Sequence, residues 1–298
     1  MISIDFLHQL DKFVLMVNKK ITSNYVGEQE SKSTGRGLVF KDHLIYVPGE
    51  DFRTIDWKVY ARTDKLFVKR FEEERNLTVH IIVDFSASMN FGRNVTKADF
   101  ASMLGLGFAY IALKNNERFV LSTFSDKLEV FKPHKGRSQM VSILSYLNKK
   151  KPKGKSNLFI SLSSYKNLIN SKSLIVVISD FLYPTDEIRN ALLYFKQHEV
   201  MLIQVLDKAE KNLDLEGDFK LKDVESGDSL RTYIGPFAKK EYERMLSDHI
   251  AKIKNVCAEF NAKFYSADTS QSVFDVFFEA LVSRGRRRRG SKNSNFQA

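Results

Sequence analysis

From Leu77 onward, short unbroken apolar runs alternate with stretches in which apolar residues return every three or four positions. The first pattern predicts strands buried on both faces, and the second predicts amphipathic helices. Read in order, this predicts a strand in VHIIVD, a helix from about Lys97 to Lys114, a strand in RFVLSTF and an antiparallel piece in LEVF. Two helical stretches across 138 to 170 follow, then a strand in LIVVISD, a helix from about Thr185 to Gln197 and a strand in VMLIQVL. A hairpin in DFKLKDVESGDSLRTYI, a long helix around 237 to 260, a strand in AKFYSA and a last helix across 271 to 283 complete the pattern. Alternating strands and helices imply βαβ units, so the expected class is α/β, with a doubly wound, mainly parallel sheet and helices on both faces. Upstream, an amphipathic helix opens the chain. A polar stretch from Glu28 to Gly37 then leads into short strand-like pieces, a Pro48-Gly49 turn and a helical turn around Trp57. The expected division is a small N-terminal α+β module over 1–76, the α/β domain over 77–283 and a tail over 284–298.

Composition narrows the class of function. The 298 residues are 43% hydrophobic, enough to bury a full core, and the single Cys257 has no partner for an internal disulfide and no neighbours at zinc-ligand spacing. A reducing, cytoplasmic setting is expected. Asp5, Asp11 and Lys12 interrupt the apolar opening at helical spacing, and no uninterrupted apolar run approaches the roughly 18 residues that suggest a membrane-spanning helix. Of the net charge of +11, six positive charges lie in the tail, on Arg284, Arg286, Arg287, Arg288, Arg289 and Lys292. The tail has almost nothing to bury and is expected to be disordered. It is either a solvated end or a weak contact for phosphates of nucleic acid or anionic lipid, which would make the protein peripheral to the inner membrane surface.

Candidate chemistry sits at two strand ends. In open parallel sheets, ligands bind beyond the carboxyl ends of the strands where the strand order reverses. Asp84 and Asp180 each follow an apolar strand directly. The loop DFSASMN then sets Asp84, Ser86 and Ser88 at alternate positions, so in an extended loop their oxygens face one way. Carboxylate and hydroxyl oxygens suit a hard cation such as Mg²⁺, with Mn²⁺ or Ca²⁺ as alternatives. His80, inside an apolar strand, is expected to be a hydrogen-bonded core histidine.

The D-x-S-x-S string after a first buried strand resembles the metal-ion-dependent adhesion site of von Willebrand A domains. That resemblance implies a von Willebrand A-like fold, a second-loop hydroxyl and a third-loop aspartate. Ser156, in GKSNLFISL, stands where threonine is usual, with Asn157 as its rival, and Asp180 stands for the aspartate. Upstream, YVPGEDFRTIDWKVYAR resembles the signature of the family called domain of unknown function fifty-eight. Tyr46, Pro48, Gly49, Asp51, Arg53, Ile55, Asp56, Trp57, Ala61 and Arg62 match, and Glu50 replaces an aspartate. The resemblance implies work beside a MoxR-type AAA+ ATPase in chaperone-like assembly or maturation of other proteins. Many relatives carry transmembrane segments, from which this sequence departs. Arg53, Asp56, Trp57 and Arg62 are read either as a partner-binding surface or as a buried charge network.

Taken together, these features point to a non-enzymatic, metal-dependent protein-binding module. Its metal site is Asp84, Ser86, Ser88, Ser156 and Asp180, and its client would present a carboxylate rather than be a small-molecule substrate. The alternative is a phosphatase-like hydrolase using Asp84. That reading is weakened because Ser86, two residues on, cannot serve as a carboxylate acid, and no phosphate-binding glycine loop is present.

Overall fold

The computed structural model describes residues 2–24, 38–48, 51–73, 78–131, 138–169, 171–213, 217–222 and 229–286. The chain divides into two compact units, Lys19–Asn76 and the remainder, Met1–Asn18 with Leu77–Ala298. In the smaller unit, β1 (Leu38–Ile45) pairs antiparallel with β2 (Phe67–Glu73), and a helix, α2 (Trp57–Thr63), lies between them in sequence. Asp56 starts that helix because its carboxylate accepts from the backbone N–H groups of Lys58 and Val59, donors that a first helical turn leaves without partners.

The first helix, α1 (Ile4–Asn24), shows why its opening residues group with the larger unit rather than with an N-terminal module over 1–76. Ile2, Phe6, Leu10, Phe13 and Val14 are buried in the main core. Phe6 and Phe13 stack on Phe274, and Phe13 also meets Phe277. These rings belong to α9 (Val273–Arg286), so a hydrophobic stripe at helical spacing docks the chain start against the chain end.

The larger unit is a mixed α/β structure around a mostly parallel sheet. Its strands are β3 (Thr78–Asp84), β4 (Arg118–Phe124), β5 (Leu128–Val130), β6 (Ser173–Ser179), β7 (Glu199–Leu206) and β10 (Lys263–Asp268), in the order β10-β7-β6-β3-β4-β5. β5 runs antiparallel at one edge, as LEVF predicted, and the other pairings are parallel. A separate antiparallel hairpin joins β8 (Gly217–Lys222) to β9 (Ser229–Ile234).

The helices are α3 (Lys97–Lys114), α4 (Ser138–Lys149), α5 (Leu158–Tyr165), α6 (Thr185–Leu193), the short α7 (Lys208–Asn212) and α8 (Pro236–Glu259). Side-chain alternation along the strands builds two cores. Val79, Ile81, Val83, Val176 and Ile178 pack with residues of α1, α3, α4 and α9. Ile82, Ile175, Val177 and Leu202 pack with residues of α5, α6 and α8. On the first face α9 approaches α3 closely, since a Cβ at Gly107 would stand 2.0 Å from Phe277 Cζ.

The chain leaves β3 toward β4 and β5, then returns to add β6, β7 and β10 on its other side. The strand order therefore reverses between β3 and β6, and Asp84 and Asp180 stand at the strand ends on either side of that reversal. At the other extreme, α9 stays helical to Arg286, past the expected tail start, while residues 287–298, with most of the basic run, lie outside the described residues.

Candidate metal centre

The five oxygen-bearing residues expected to act together meet at this reversal point, joined by Ser179 and Tyr183. Val83 pairs with Ile178, so the next residues, Asp84 and Ser179, become neighbours, and the Ser179 hydroxyl donates to Asp84 Oδ2 at 2.7 Å. The same oxygen accepts from Tyr183 at 2.5 Å and from Ser156 at 3.3 Å, while Asp84 Oδ1 takes the Ser86 N–H at 2.8 Å. Ser86 Oγ lies 3.1 Å from Ser88 Oγ, and Ser88 donates to Asp180 Oδ2 at 2.8 Å. Asp84, Ser86, Ser88, Ser156 and Asp180 thus form one connected hydrogen-bonded cluster. Asn157, the rival of Ser156, instead caps α5 by accepting from the Ile160 N–H.

Local backbone explains the aim of these groups. The 3-10 turn Ala87–Asn90 follows Ser86 at once, and Ala87 N–H donates to Gly154 O, which ties the first loop to the loop carrying Ser156. After Asp180, Phe181 takes φ 51°, a left-handed conformation that costs a non-glycine residue energy. It is held by its N–H to Ser179 Oγ and by His249 Nε2 at its carbonyl, and two residues later Tyr183 is turned back over Asp84.

The two carboxylates live in different electrostatic surroundings. Burial raises the pKa of Asp84, with the nearby Asp180 charge adding to it, while the Tyr183 hydroxyl bond works in the opposite direction. Burial and the Asp84 charge hold the Tyr183 phenol well above its ordinary range, so it remains a proton donor. Asp180 instead faces Lys97, the first residue of α3, whose ammonium donates to Asp180 Oδ2 at 3.0 Å and to Glu210 Oε1 at 2.8 Å. Lys97 is wholly buried. Burial works against its charge, but Asp180 and Glu210 outweigh it and raise its pKa. Glu210 is itself fixed by the capping box that starts α7.

Among the described residues no group of three His, Cys, Asp or Glu side chains stands together as a metal cluster. The donor set here is of another kind, with serine hydroxyls completing two carboxylates, and its hard oxygens fit Mg²⁺ or Mn²⁺ chemically. Charge fits as well. When ionised, Asp84, Asp180 and Glu210 place three negative charges against one ammonium, that of Lys97, among the described residues, and a dication would balance the excess of two.

Lys97, Ser179, Tyr183 and Glu210 were not foreseen from sequence. One signal was present, because lysine in the first turn of a helix opposes the helix dipole unless a carboxylate awaits it. His80, expected in the core, bonds the Tyr165 hydroxyl at 2.9 Å, and burial lowers its pKa to about 4. Cys257 is buried, and its thiol is pushed up to about 12, which makes it unreactive.

The second candidate set behaves unlike the expected charge network. Asp56 is buried, but its carboxylate bonds His43 at 2.9 Å and lies 3.6 Å from Lys69, in place of the expected arginines. The hydrogen bond from His43 is the largest of the influences that lower its pKa. Arg53 and Arg62 are exposed, and Arg62 Nε donates to the Lys58 carbonyl. Trp57 is 58% exposed and packs edge-on against Tyr60, so this string displays its aromatic and basic side chains instead of burying them.

Residues 43–252 match the family described as protein of unknown function DUF58. The chain belongs to this family. Similar sequences include uncharacterized protein Mb1516 of Mycobacterium bovis and uncharacterized protein Rv1480 of Mycobacterium tuberculosis. Each is 26% identical over 277 residues, which is 91% of this chain and 87% of the relative. Among solved structures, the conserved hypothetical protein BatB from Bacteroides thetaiotaomicron aligns with TM-score 0.42 and 16% identity over 70% of this chain and 98% of its own. An aerotolerance-related membrane protein from Bacteroides fragilis aligns with TM-score 0.43 and 15% identity over 70% of this chain and 99% of its own. No described helix of this DUF58 protein is long and apolar enough to cross a membrane.

Proposed function

We propose that this DUF58 protein is a von Willebrand A-like, non-enzymatic binding module that takes a divalent cation at Asp84, Ser86, Ser88, Ser156 and Asp180 and uses it to grip a carboxylate of a partner protein. The observation that carries the reading is the convergence of these five residues at the β3/β6 reversal with more negative than positive charge. A bound Mg²⁺ would supply an open coordination position for an incoming carboxylate. The chain's own groups position the donors. Ser179 and Tyr183 hold Asp84, the Ala87 N–H to Gly154 carbonyl bond sets the Ser156 loop beside it, and Gln204 Nε2 fixes the Asp180 carbonyl at 2.9 Å.

Hydrolysis through Asp84 is disfavoured because Ser86, two residues on, cannot serve as a carboxylate acid. A MoxR-type AAA+ ATPase is the proposed partner, with a client protein whose assembly or maturation the pair assists in the cytoplasm. The exposed Arg53, Trp57 and Arg62 of the smaller unit offer a second, metal-independent contact, since tryptophan and arginine dominate interface energetics.

The test is co-purification of the cognate ATPase in Mg²⁺, in chelator, and with Asp84→Ala. Association is expected only for the wild-type chain in Mg²⁺. Equal recovery in all three would refute the metal-bridged contact and move attention to Trp57 and its neighbours.

A further inference from the structure

We propose that Lys97 is a resident counter-ion for Asp180, which holds that carboxylate in place without a metal and sets how tightly the neighbouring hydroxyl cluster takes a divalent cation. This inference rests on the cation-binding reading above. The ammonium is fully buried and makes two short contacts to carboxylates. Its position is fixed from several sides. Thr96 caps the start of α3, the α7 capping box ties Glu210 to the Asp207 N–H, and Gln204 of β7 holds the Asp180 backbone.

The contact falls on the oxygen that matters. Asp180 Oδ2 accepts from both Lys97 and Ser88, while Ser86 lies within hydrogen-bond reach of Ser88. A cation that used this oxygen would have to share it with a like-charged ammonium. Asp84, by contrast, receives only neutral hydroxyl and N–H donors among the described residues. Lys97 therefore does two things. It satisfies Asp180 when no cation is present, so the fold does not depend on a metal, and it weakens the cation's hold by repulsion across a buried, poorly screened path.

Lys97→Met keeps the length and apolar stem of the side chain but removes the charge. In full-length protein it is expected to lower the unfolding temperature in chelator and to tighten Mg²⁺ binding measured by calorimetry, by on the order of ten-fold or more. Its unfolding temperature should also rise more on adding Mg²⁺ than the wild type's does. A purely structural lysine would lower stability equally with and without Mg²⁺, and that result overturns the proposal. If Lys97→Met folds only when Mg²⁺ is present, the proposal is supported. If it folds in neither condition, the double variant K97M/E210Q, which removes one of the two carboxylates left unpaired, decides: tighter Mg²⁺ binding than wild type supports the proposal, and equal or weaker binding, or failure to fold with Mg²⁺ present, overturns it. Mg²⁺ binding by the wild type with no gain in the variants refutes Lys97 alone, whereas no binding by any of them refutes the cation site as well.

Discussion

Asp84 and Asp180 stand at the ends of adjacent parallel strands and are both almost fully buried, yet they are stabilised by opposite means. Asp84 is surrounded by hydroxyls and a backbone amide, which solvate a charge without neutralising it. Asp180 has a buried ammonium against it. The difference shows that equivalent positions in a fold do not carry equivalent energetics. A carboxylate held by neutral donors remains partly uncompensated and ready for a cation, while one held by an ion pair is already part of the framework.

The largest consequence concerns the ion pair. Asp180→Ala leaves Lys97 buried with Glu210 alone and removes the acceptor of Ser88, and breaking a buried pair from one side costs about 3–5 kcal/mol. Denaturant unfolding in chelator should show that loss. An Asp180→Ala protein as stable as the wild type would break the contrast between the two aspartates.

A buried group lower on β3 sharpens the comparison, because His80 has a neutral hydroxyl partner and, among the described residues, no ion pair. Its folded pKa, about 4, lies below the ordinary 6.5, so below about pH 6.5 the unfolded chain binds a proton that the folded chain refuses. Stability should therefore fall as pH drops from 6.5 toward 4, by about 3 kcal/mol from this residue. More than about one pH unit above 6.5 His80 should contribute no slope. Unfolding curves across that range for the wild type and His80→Gln check the sign, with the variant expected to show a shallower slope.

The smallest effect is expected at Asp84 itself. Its raised pKa means that ionisation is disfavoured in the fold, so its ionised form costs stability as pH rises above the unfolded carboxylate range. Asp84→Asn removes that cost while keeping an acceptor for the surrounding hydroxyls. Stability in chelator should change by less than about 1 kcal/mol, in either direction. A loss as large as that of Asp180→Ala would show that the two strand ends are energetically alike.

Much of this arrangement was legible in the chain. The apolar runs VHIIVD and LIVVISD became β3 and β6, the helix expected from Lys97 to Lys114 has those bounds, and DFSASMN brought Ser86 and Ser88 beside Asp84. Periodicity carries such information because burial on a strand or helix face repeats at short range. What it does not carry is which polar residue crosses from another element. Lys97 looks like a solvated helix start until Asp180 and Glu210, distant in sequence, are placed around it. Tyr183 reaches Asp84 because Phe181 adopts a left-handed backbone that no local pattern announces. The short α7 was also missed, since a helix of five residues shows no period, although its Asp207–Glu210 capping box is itself a sequence signature. The N-terminal helix was recognised, but its docking on Phe274 and Phe277 joins the two ends of the chain and escapes any local reading.

The central claim is that a divalent cation binds among the hydroxyls between Asp84 and Asp180. Crystals of the full-length protein soaked in Mn²⁺ and measured near the manganese absorption edge test it directly. An anomalous peak is predicted within coordination distance, roughly 2.0–2.3 Å, of serine and aspartate oxygens of this cluster, lost in crystals of Asp84→Ala. An empty cluster at saturating Mn²⁺, with Lys97 still seated on Asp180, would contradict the account.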